Sequence, residues 1–172
     1  MPTPSFSQIT TFVFDMDGVL TDGTLQVIPD HLPVRQMHIK DGYALQLAIK
    51  KGYKIFVLSG SDSPPVKERL RKLGVESVFM NVTDKKNLLN DLLLKQGLKS
   101  QEVLYMGDDM PDFSVMLEAG ISACPVDAVE EIKEISFYKS TFKGGYGCVR
   151  DVIEHVLKAR GDWSHLESVS SR

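Results

Sequence analysis

The chain has 172 residues, of which 42% are hydrophobic and 25% are charged, and its formal net charge is -3 at pH 7. This composition is typical of one globular domain with a sizeable core, and it leaves no basic stripe of the kind that binds nucleic acid. No segment reaches transmembrane length and no secretory leader is evident, so we expect a cytoplasmic protein without membrane contact.

The first predicted element is a buried strand that ends in acids. Phe12, Val13 and Phe14 are followed by Asp15 and Asp17, and β-branched or aromatic residues before polar ones predict a strand inside a sheet. Because side chains alternate along a strand, the two carboxylates project in roughly the same direction. They repel each other unless a cation offsets them, which suggests magnesium, a hard ion with oxygen ligands. A pair of acids that only caps a turn is the alternative.

A protruding β-hairpin is predicted for residues 24–40, which alternate in polarity and contain Pro29 and Pro33. After the hairpin, Asp41 is typical of the N-cap of a helix, and this helix is expected to end at Gly52.

The rest of the chain alternates between strand and helix. Further strands are predicted at 54–58, 77–80, 103–106 and 121–124. Helices are expected from Pro64, after Asp84, from Met110 to Glu118, around 127–133, and over a last segment with Val149, Val152, Ile153, Val156 and Leu157. The alternation predicts an α/β fold, a doubly wound parallel sheet without a separate cap domain. Residues 1–160 are expected to form this single domain, and 161–172 a flexible tail.

Polar residues directly follow three of the predicted strands, at Asp15, Ser59 and Asp108. Ligands of such sheets bind outside the carboxyl ends of the strands, so we expect these side chains to converge. Asp15 is interpreted as a nucleophile that attacks phosphorus and forms an acyl phosphate. Asp17 is interpreted as the general acid and base, for which we expect a raised pKa. Mg²⁺ is expected to be held by Asp15, Asp108 and a backbone carbonyl near Asp17.

Other residues are candidates for binding the transferring phosphoryl group. Ser59 and the amide of Gly60 are expected to donate hydrogen bonds, and Lys85 to supply a fixed positive charge. The alternatives are an ordinary turn at Ser59 and Gly60 and a solvated lysine at 85. Asp109 is interpreted as favouring the start of the following helix, whereas Asp112 is expected to orient Lys85 or a metal-bound water.

Four motifs in order carry a resemblance to a known family. They are Asp15-Met16-Asp17-Gly18-Val19-Leu20-Thr21-Asp22-Gly23, Ser59-Gly60, Asp84-Lys85, and Gly107-Asp108-Asp109 with Asp112. The chain resembles the haloacid dehalogenase superfamily of phosphatases, and within it the small, capless sugar-acid branch typified by 3-deoxy-D-manno-octulosonate 8-phosphate phosphatase. The resemblance implies Mg²⁺ dependence, an aspartyl-phosphate intermediate and a role in lipopolysaccharide precursor synthesis. It also implies a homotetramer in which one subunit's hairpin and tail help to close a neighbour's site.

Two positions depart from this family pattern, since relatives commonly carry arginine where this chain has Ser61 and Tyr146. An arginine suits bidentate recognition of a carboxylate, which serine cannot replace. A nonulosonate (sialic-type acid) 9-phosphate is therefore the alternative substrate. Candidates for contacting the substrate, several of them as partners of its carboxylate, are Thr21, Arg35, His38, Lys40, Lys143 and Arg150.

Competing functions fit the sequence less well. A sugar phosphomutase of the same superfamily usually carries a cap domain, which is not found here. A two-component receiver module carries its phosphorylated acid after a later strand, and no isolated acid follows Leu58 or Met80 in that way. An inactive binding subunit would not need the intact set of acids.

Overall fold

A computed structural model of the chain describes residues 5–169 and contains a parallel sheet of six strands in the order β3-β2-β1-β4-β5-β6. The strands are β1 Thr11–Phe14, β2 Lys54–Leu58, β3 Ser77–Phe79, β4 Val103–Met106, β5 Ile121–Cys124 and β6 Tyr138–Lys139. The helices are α1 Ile39–Lys50, α2 Pro64–Lys72, α3 Lys85–Gln96, α4 Phe113–Met116, α5 Glu130–Ile135 and α6 Cys148–Ala159. The predicted doubly wound α/β fold is confirmed.

The sheet is buried on both faces, as its continuous apolar strands require. Helices α1, α2 and α6 pack on one face and helices α3, α4 and α5 on the other. Strand β1 is central, and Phe14 lies between Val57 of β2 and Met106 of β4. All four residues of β1 are buried, so the chain leaves the core at a fixed point and delivers the following acids to the edge of the sheet.

Several element boundaries differ from the predictions. Strand β6 was not predicted, because two residues are too short to show a hydrophobic period. The predicted helix from Met110 to Glu118 is a 3-10 turn at Met110–Asp112 followed by the short helix α4. The prediction of Asp41 as the N-cap of α1 is wrong: His38 occupies that position, and Asp41 Oδ1 instead accepts a hydrogen bond of 2.7 Å from the backbone N–H of Arg150 in α6.

The predicted hairpin turns back on itself but contains no continuous strands. Its two arms are joined by isolated antiparallel bridges, between Gln26 and Val34 and between Thr21 and Met37. Pro29 and other residues of the exposed loop gain no sheet partner, and proline lacks the N–H that a ladder requires. The large apolar side chains that this loop exposes are Leu25, Val27, Ile28, Leu32 and Val34.

The segment that is expected to be a flexible tail contacts the domain over its described part. Tyr53 donates a hydrogen bond of 2.7 Å to Asp162, and the ring of Trp163 packs edge-on against Tyr43 of α1. Val169 is buried, while residues 170–172 of the predicted tail lie outside the described residues. Among residues 5–169, none of the helices is long and apolar enough to cross a membrane.

Candidate active site

The polar residues that are predicted to follow the strands converge at the carboxyl ends of β1, β2 and β4. Asp15 directly follows β1, Ser59 follows β2, and Asp108 lies one residue beyond Gly107 at the end of β4. Together they line a pocket of about 390 Å³. Thr83 and Pro111 complete its wall, so the pocket opens above the centre of the sheet, as expected for this fold.

A buried lysine joins two carboxylates at the base of the pocket. Lys85 Nζ lies 2.7 Å from Asp15 Oδ1 and 2.7 Å from Asp112 Oδ1. Tyr105 donates a further hydrogen bond of 2.7 Å to Asp112 Oδ1. Burial acts to lower the pKa of Lys85, but the charges of Asp112 and Asp15 outweigh burial, and the pKa lies above its usual value. Lys85 is therefore a fixed ammonium, and Asp112 orients it.

Three carboxylates offer a site for a divalent cation. Ligand atoms of Asp15, Asp108 and Asp112 all lie within 4.8 Å of one another, and Asp108 Oδ1 is buried without a hydrogen-bond partner among the described residues. Burial and the neighbouring Asp112 raise the pKa of Asp15 to about 7, while burial and Asp15 raise the pKa of Asp108 to about 8. A cluster that resists ionisation in this way fits a hard cation with oxygen ligands, such as Mg²⁺.

Glycine 18 makes room for this cluster. It adopts a φ of +89°, and a Cβ at this position would lie 2.0 Å from Asp108 Oδ2. The backbone therefore has to be bare where it passes the carboxylate, and only glycine combines this φ with that close approach.

Asp17 lies beside the cluster and is bound from several sides. Arg35 donates from Nε to Oδ1 at 2.7 Å and from Nη2 to Oδ2 at 3.1 Å. Thr21 donates to Oδ1 at 3.1 Å and Ser61 to Oδ2 at 2.7 Å. Burial acts to raise the pKa of Asp17, but the hydrogen bonds from Arg35 and Ser61 prevail and the pKa lies below its usual value. The raised pKa expected for Asp17 is therefore wrong for this arrangement, because a guanidinium faces the carboxylate.

The remaining phosphate-binding candidates line the same pocket. Ser59 is buried, its Oγ accepts a hydrogen bond from the backbone N–H of Ser61, and Gly60 is exposed beside it. Asp109 is exposed and accepts a hydrogen bond of 2.7 Å from the backbone N–H of Met110. Asp109 therefore caps the following turn, in line with its interpretation from sequence.

The other substrate candidates are divided between two places. Thr21 and Arg35 contact Asp17, whereas His38, Lys40 and Arg150 line a separate, larger cavity of about 590 Å³. Arg150 lies 5.5 Å from the ring centre of Tyr43, on which it makes a cation–π contact. Neither His38 nor Lys40 lines the pocket that holds the acids. Lys143 is exposed and adjoins Gly144, which packs against the backbone of Gly18.

Sequence reasoning missed two residues that shape the site. Tyr105 looks like an ordinary apolar strand residue, and only the position of its hydroxyl beside Asp112 reveals its role. Ser61 was noted as a departure from the family pattern, but its hydrogen bond to Asp17 was not predicted. The signal for Ser61 was its place after the Ser59-Gly60 motif, while Tyr105 offered none.

Comparison with known proteins agrees with this geometry. A family model described as haloacid dehalogenase-like hydrolase matches residues 38–126. The curated 3-deoxy-D-manno-octulosonate 8-phosphate phosphatase of Haemophilus influenzae is 30% identical over 156 residues, which cover 91% of this chain and 87% of that protein. The enzyme of the same name from Escherichia coli K12 is 29% identical over 153 residues, or 89% of this chain and 81% of that protein.

Solved structures are similar over the same length. The crystal structure of the Moraxella catarrhalis 3-deoxy-D-manno-octulosonate 8-phosphate phosphatase, in complex with a magnesium ion, a phosphate ion and the sugar acid, matches with a TM-score of 0.89 and 30% identity. That match covers 92% of this chain and 91% of the other. The Yersinia pestis enzyme of the same name matches with a TM-score of 0.90 and 26% identity, covering 97% and 89%.

Proposed function

Because the chain belongs to the haloacid dehalogenase-like hydrolases, we propose that it is a Mg²⁺-dependent phosphatase that converts 3-deoxy-D-manno-octulosonate 8-phosphate to the free sugar acid and phosphate. The relatives that bear this name span almost the whole chain. The observation that carries the proposal is the meeting of Asp15, Lys85 and Asp108 in one pocket, where Asp108 Oδ1 has no hydrogen-bond partner among residues 5–169. A carboxylate nucleophile, a fixed ammonium and an acidic cluster that fits a cation are the parts that phosphoryl transfer requires.

In the first step, Asp15 attacks the phosphorus atom of the ester. A bond forms between a carboxylate oxygen and phosphorus, the bond from phosphorus to the ester oxygen breaks, and the leaving oxygen takes a proton from Asp17. Asp17 therefore has to be protonated in the substrate complex, although its pKa lies below the usual value while Arg35 faces it. Lys85 holds the Asp15 carboxylate in place through its 2.7 Å contact. Ser59 and the backbone of Gly60 line the same pocket and donate to the phosphoryl oxygens.

In the second step, a water molecule attacks the phosphorus atom of the aspartyl phosphate. Asp17 takes the proton from this water, the bond between Asp15 and phosphorus breaks, and inorganic phosphate leaves. Asp15, Asp108 and a backbone carbonyl near Asp17 would hold Mg²⁺, which would supply positive charge between the anionic carboxylate and the anionic phosphoryl group. Asp112 keeps Lys85 oriented through both steps.

The proposal includes a homotetramer in which a neighbouring subunit closes the site. The exposed loop 22–38 presents Val27 at 77% and Leu32 at 59% exposure, and apolar surface of this kind is typical of a protein interface. The described part of the tail, through residues such as Trp163, instead contacts its own α1. We therefore assign the closing contact to this loop, which ends at His38, directly before α1 with Lys40 in its first turn.

A nonulosonate 9-phosphate is the second candidate substrate. Ser61 lies in the pocket, where its hydroxyl contacts Asp17, and Tyr146 lines the neighbouring cavity. Neither side chain offers the positive charge that an arginine would bring to a substrate carboxylate. The pocket wall next to the leaving group therefore differs from the family pattern, and sugar acids of different length have to be compared.

Phosphate release by the purified protein tests the proposal. The substrates are 3-deoxy-D-manno-octulosonate 8-phosphate, a nonulosonate 9-phosphate and glucose 6-phosphate, each with Mg²⁺ and with a chelator. We expect Mg²⁺-dependent turnover with the highest kcat/KM for the octulosonate ester. Preference for the nine-carbon ester would replace the substrate but keep the chemistry, whereas no turnover of any ester would contradict the proposal.

A further inference from the structure

The carboxylate of Asp17 has no acceptor position left for a substrate. Its Oδ1 accepts from Thr21 and from Arg35 Nε, and its Oδ2 accepts from Ser61 and from Arg35 Nη2. A carboxylate offers about four acceptor sites, two on each oxygen. Asp17 can therefore deliver a proton to the leaving oxygen of an ester only after one of these donors has moved away.

Of the three residues that donate to Asp17, Arg35 lies on the most exposed segment of the backbone. Thr21 is fully buried in the turn that follows β1, and Ser61 lies in the loop after β2, where its backbone N–H is bound to Ser59. Arg35 lies on loop 22–38, which is joined by isolated bridges and exposes most of its residues. Segments with few buried contacts open at the lowest free energy.

The pocket otherwise lacks a cation for a substrate carboxylate. Its lining contains five aspartates, at 15, 17, 108, 109 and 112, and a single cationic residue, Lys85. Lys85 is already bound to both Asp15 and Asp112. Arg35, whose side chain is only 4% exposed, does not line this pocket itself. Its Nη2 donates to two residues that do, Asp17 at 3.1 Å and Ser61 at 3.2 Å. Its guanidinium can therefore form a bidentate pair with a substrate carboxylate that binds beside Asp17.

We propose that Arg35 exchanges partners during the reaction: it binds Asp17 in the empty site and the carboxylate of the sugar-acid substrate in the occupied site. The exchange frees one oxygen of Asp17, so that Asp17 can deliver a proton to the leaving oxygen. A phosphate ester without a carboxylate offers Arg35 no anion of this kind and leaves Asp17 engaged. Arg35 thus makes the reaction selective for sugar-acid phosphates, an inference that rests on the proposed phosphatase function and extends it to the basis of its specificity.

The experiment compares two primary phosphate esters, 3-deoxy-D-manno-octulosonate 8-phosphate and glucose 6-phosphate, with the Mg²⁺-loaded wild-type protein and with Arg35→Ala. The measured quantity is the ratio of the two kcat/KM values. We expect Arg35→Ala to lower this ratio more than fivefold, because the variant loses recognition of the carboxylate and no longer blocks Asp17. A residue that only supports the fold would lower both values in proportion.

Two further variants keep the test decisive. Ser61→Ala removes one donor from Asp17 but keeps the guanidinium that recognises the carboxylate, so we expect it to lower the ratio by less than Arg35→Ala does. Arg35→Lys keeps the charge without the fork and is expected to recover part of the ratio, and it replaces Arg35→Ala if that variant does not fold. A ratio that stays within fivefold in the arginine variant overturns the inference, while a wild-type protein that hydrolyses neither ester overturns the proposed function itself.

Discussion

Lys85 Nζ lies 2.7 Å from both Asp15 Oδ1 and Asp112 Oδ1, so one ammonium balances two buried carboxylates. Removing one partner of a buried ion pair leaves an uncompensated charge, at a cost of about 3–5 kcal/mol. We expect Lys85→Met to lower the free energy of unfolding by about this amount in a chelator, and to abolish turnover. Urea denaturation measures the loss.

The neighbouring Lys86 is a matched control for that variant. It forms a partly exposed ion pair with Glu118 at the start of the same helix, and exposed pairs contribute about 0–1 kcal/mol. Lys86→Met is expected to unfold at nearly the wild-type urea concentration. Equal losses in the free energy of unfolding for Lys85→Met and Lys86→Met would contradict the assignment of Lys85 as the partner of two buried carboxylates.

The acid cluster predicts how the stability of the metal-free protein depends on pH. The pKa of Asp15 lies at about 7 and that of Asp108 at about 8, above the usual value of 3.8, so the folded state holds protons that the unfolded state has released. The free energy of unfolding in a chelator should therefore fall as the pH rises from 6.5 to 9. Asp108→Asn is expected to flatten this slope, and so is excess Mg²⁺, because it keeps the folded carboxylates ionised like those of the unfolded chain. A stability that rises over this range would contradict the prediction.

Gly18 and Gly52 provide a matched pair of glycine substitutions. Both adopt a positive φ, of +89° and +88°, but only at Gly18 would a Cβ meet Asp108, whereas nothing lies within 4 Å of a Cβ at Gly52. Both alanine variants therefore carry a backbone strain of about 1–3 kcal/mol. We expect Gly18→Ala alone to weaken Mg²⁺ activation, by at least about tenfold in the concentration needed. Equal Mg²⁺ dependence in the two variants would contradict the placement of Asp108.

Substitutions of the two acids after β1, Asp15 and Asp17, should affect turnover in different ways. Asp15→Asn is expected to abolish phosphate release without loss of folding, because an amide cannot form the acyl phosphate. Asp17→Asn should slow turnover by about 10²–10⁴-fold, the usual contribution of general acid–base catalysis. Rapid quench with a radiolabelled phosphate ester shows whether the protein accumulates label at Asp15 or fails in the first step. Full activity of Asp15→Asn would remove Asp15 as the nucleophile.

The apolar loop predicts the assembly state. Val27→Asp and Leu32→Asp place charges on side chains that are 77% and 59% exposed in the isolated chain, and a charge buried in an interface is costly. We expect these variants to lower the molar mass in light scattering from that of a tetramer. Leu94→Asp, at an equally exposed position of α3 (82%), is the control and should leave the mass unchanged.

The fold class and the order of the motifs follow from the amino-acid sequence alone. Strands such as β1 and β4 are continuous apolar runs followed by acids, and parallel topology forces their carboxyl ends to one edge. The convergence of Asp15, Ser59 and Asp108 therefore follows from the sequence. Local sequence is sufficient to predict these positions, because strand length, the alternation of apolar and polar residues, and the turn residues after a strand each depend on only a few neighbours.

Contacts between distant segments, in contrast, depend on how the whole chain folds. Arg35 and Asp17 are 18 residues apart, and their bidentate pair, which lowers the pKa of Asp17, depends on how loop 22–38 folds back. Asp41 likewise caps α6 rather than its own helix, because α1 and α6 pack side by side. Side-chain pairing across such distances is set by packing in three dimensions, and no pattern in the neighbouring residues encodes it.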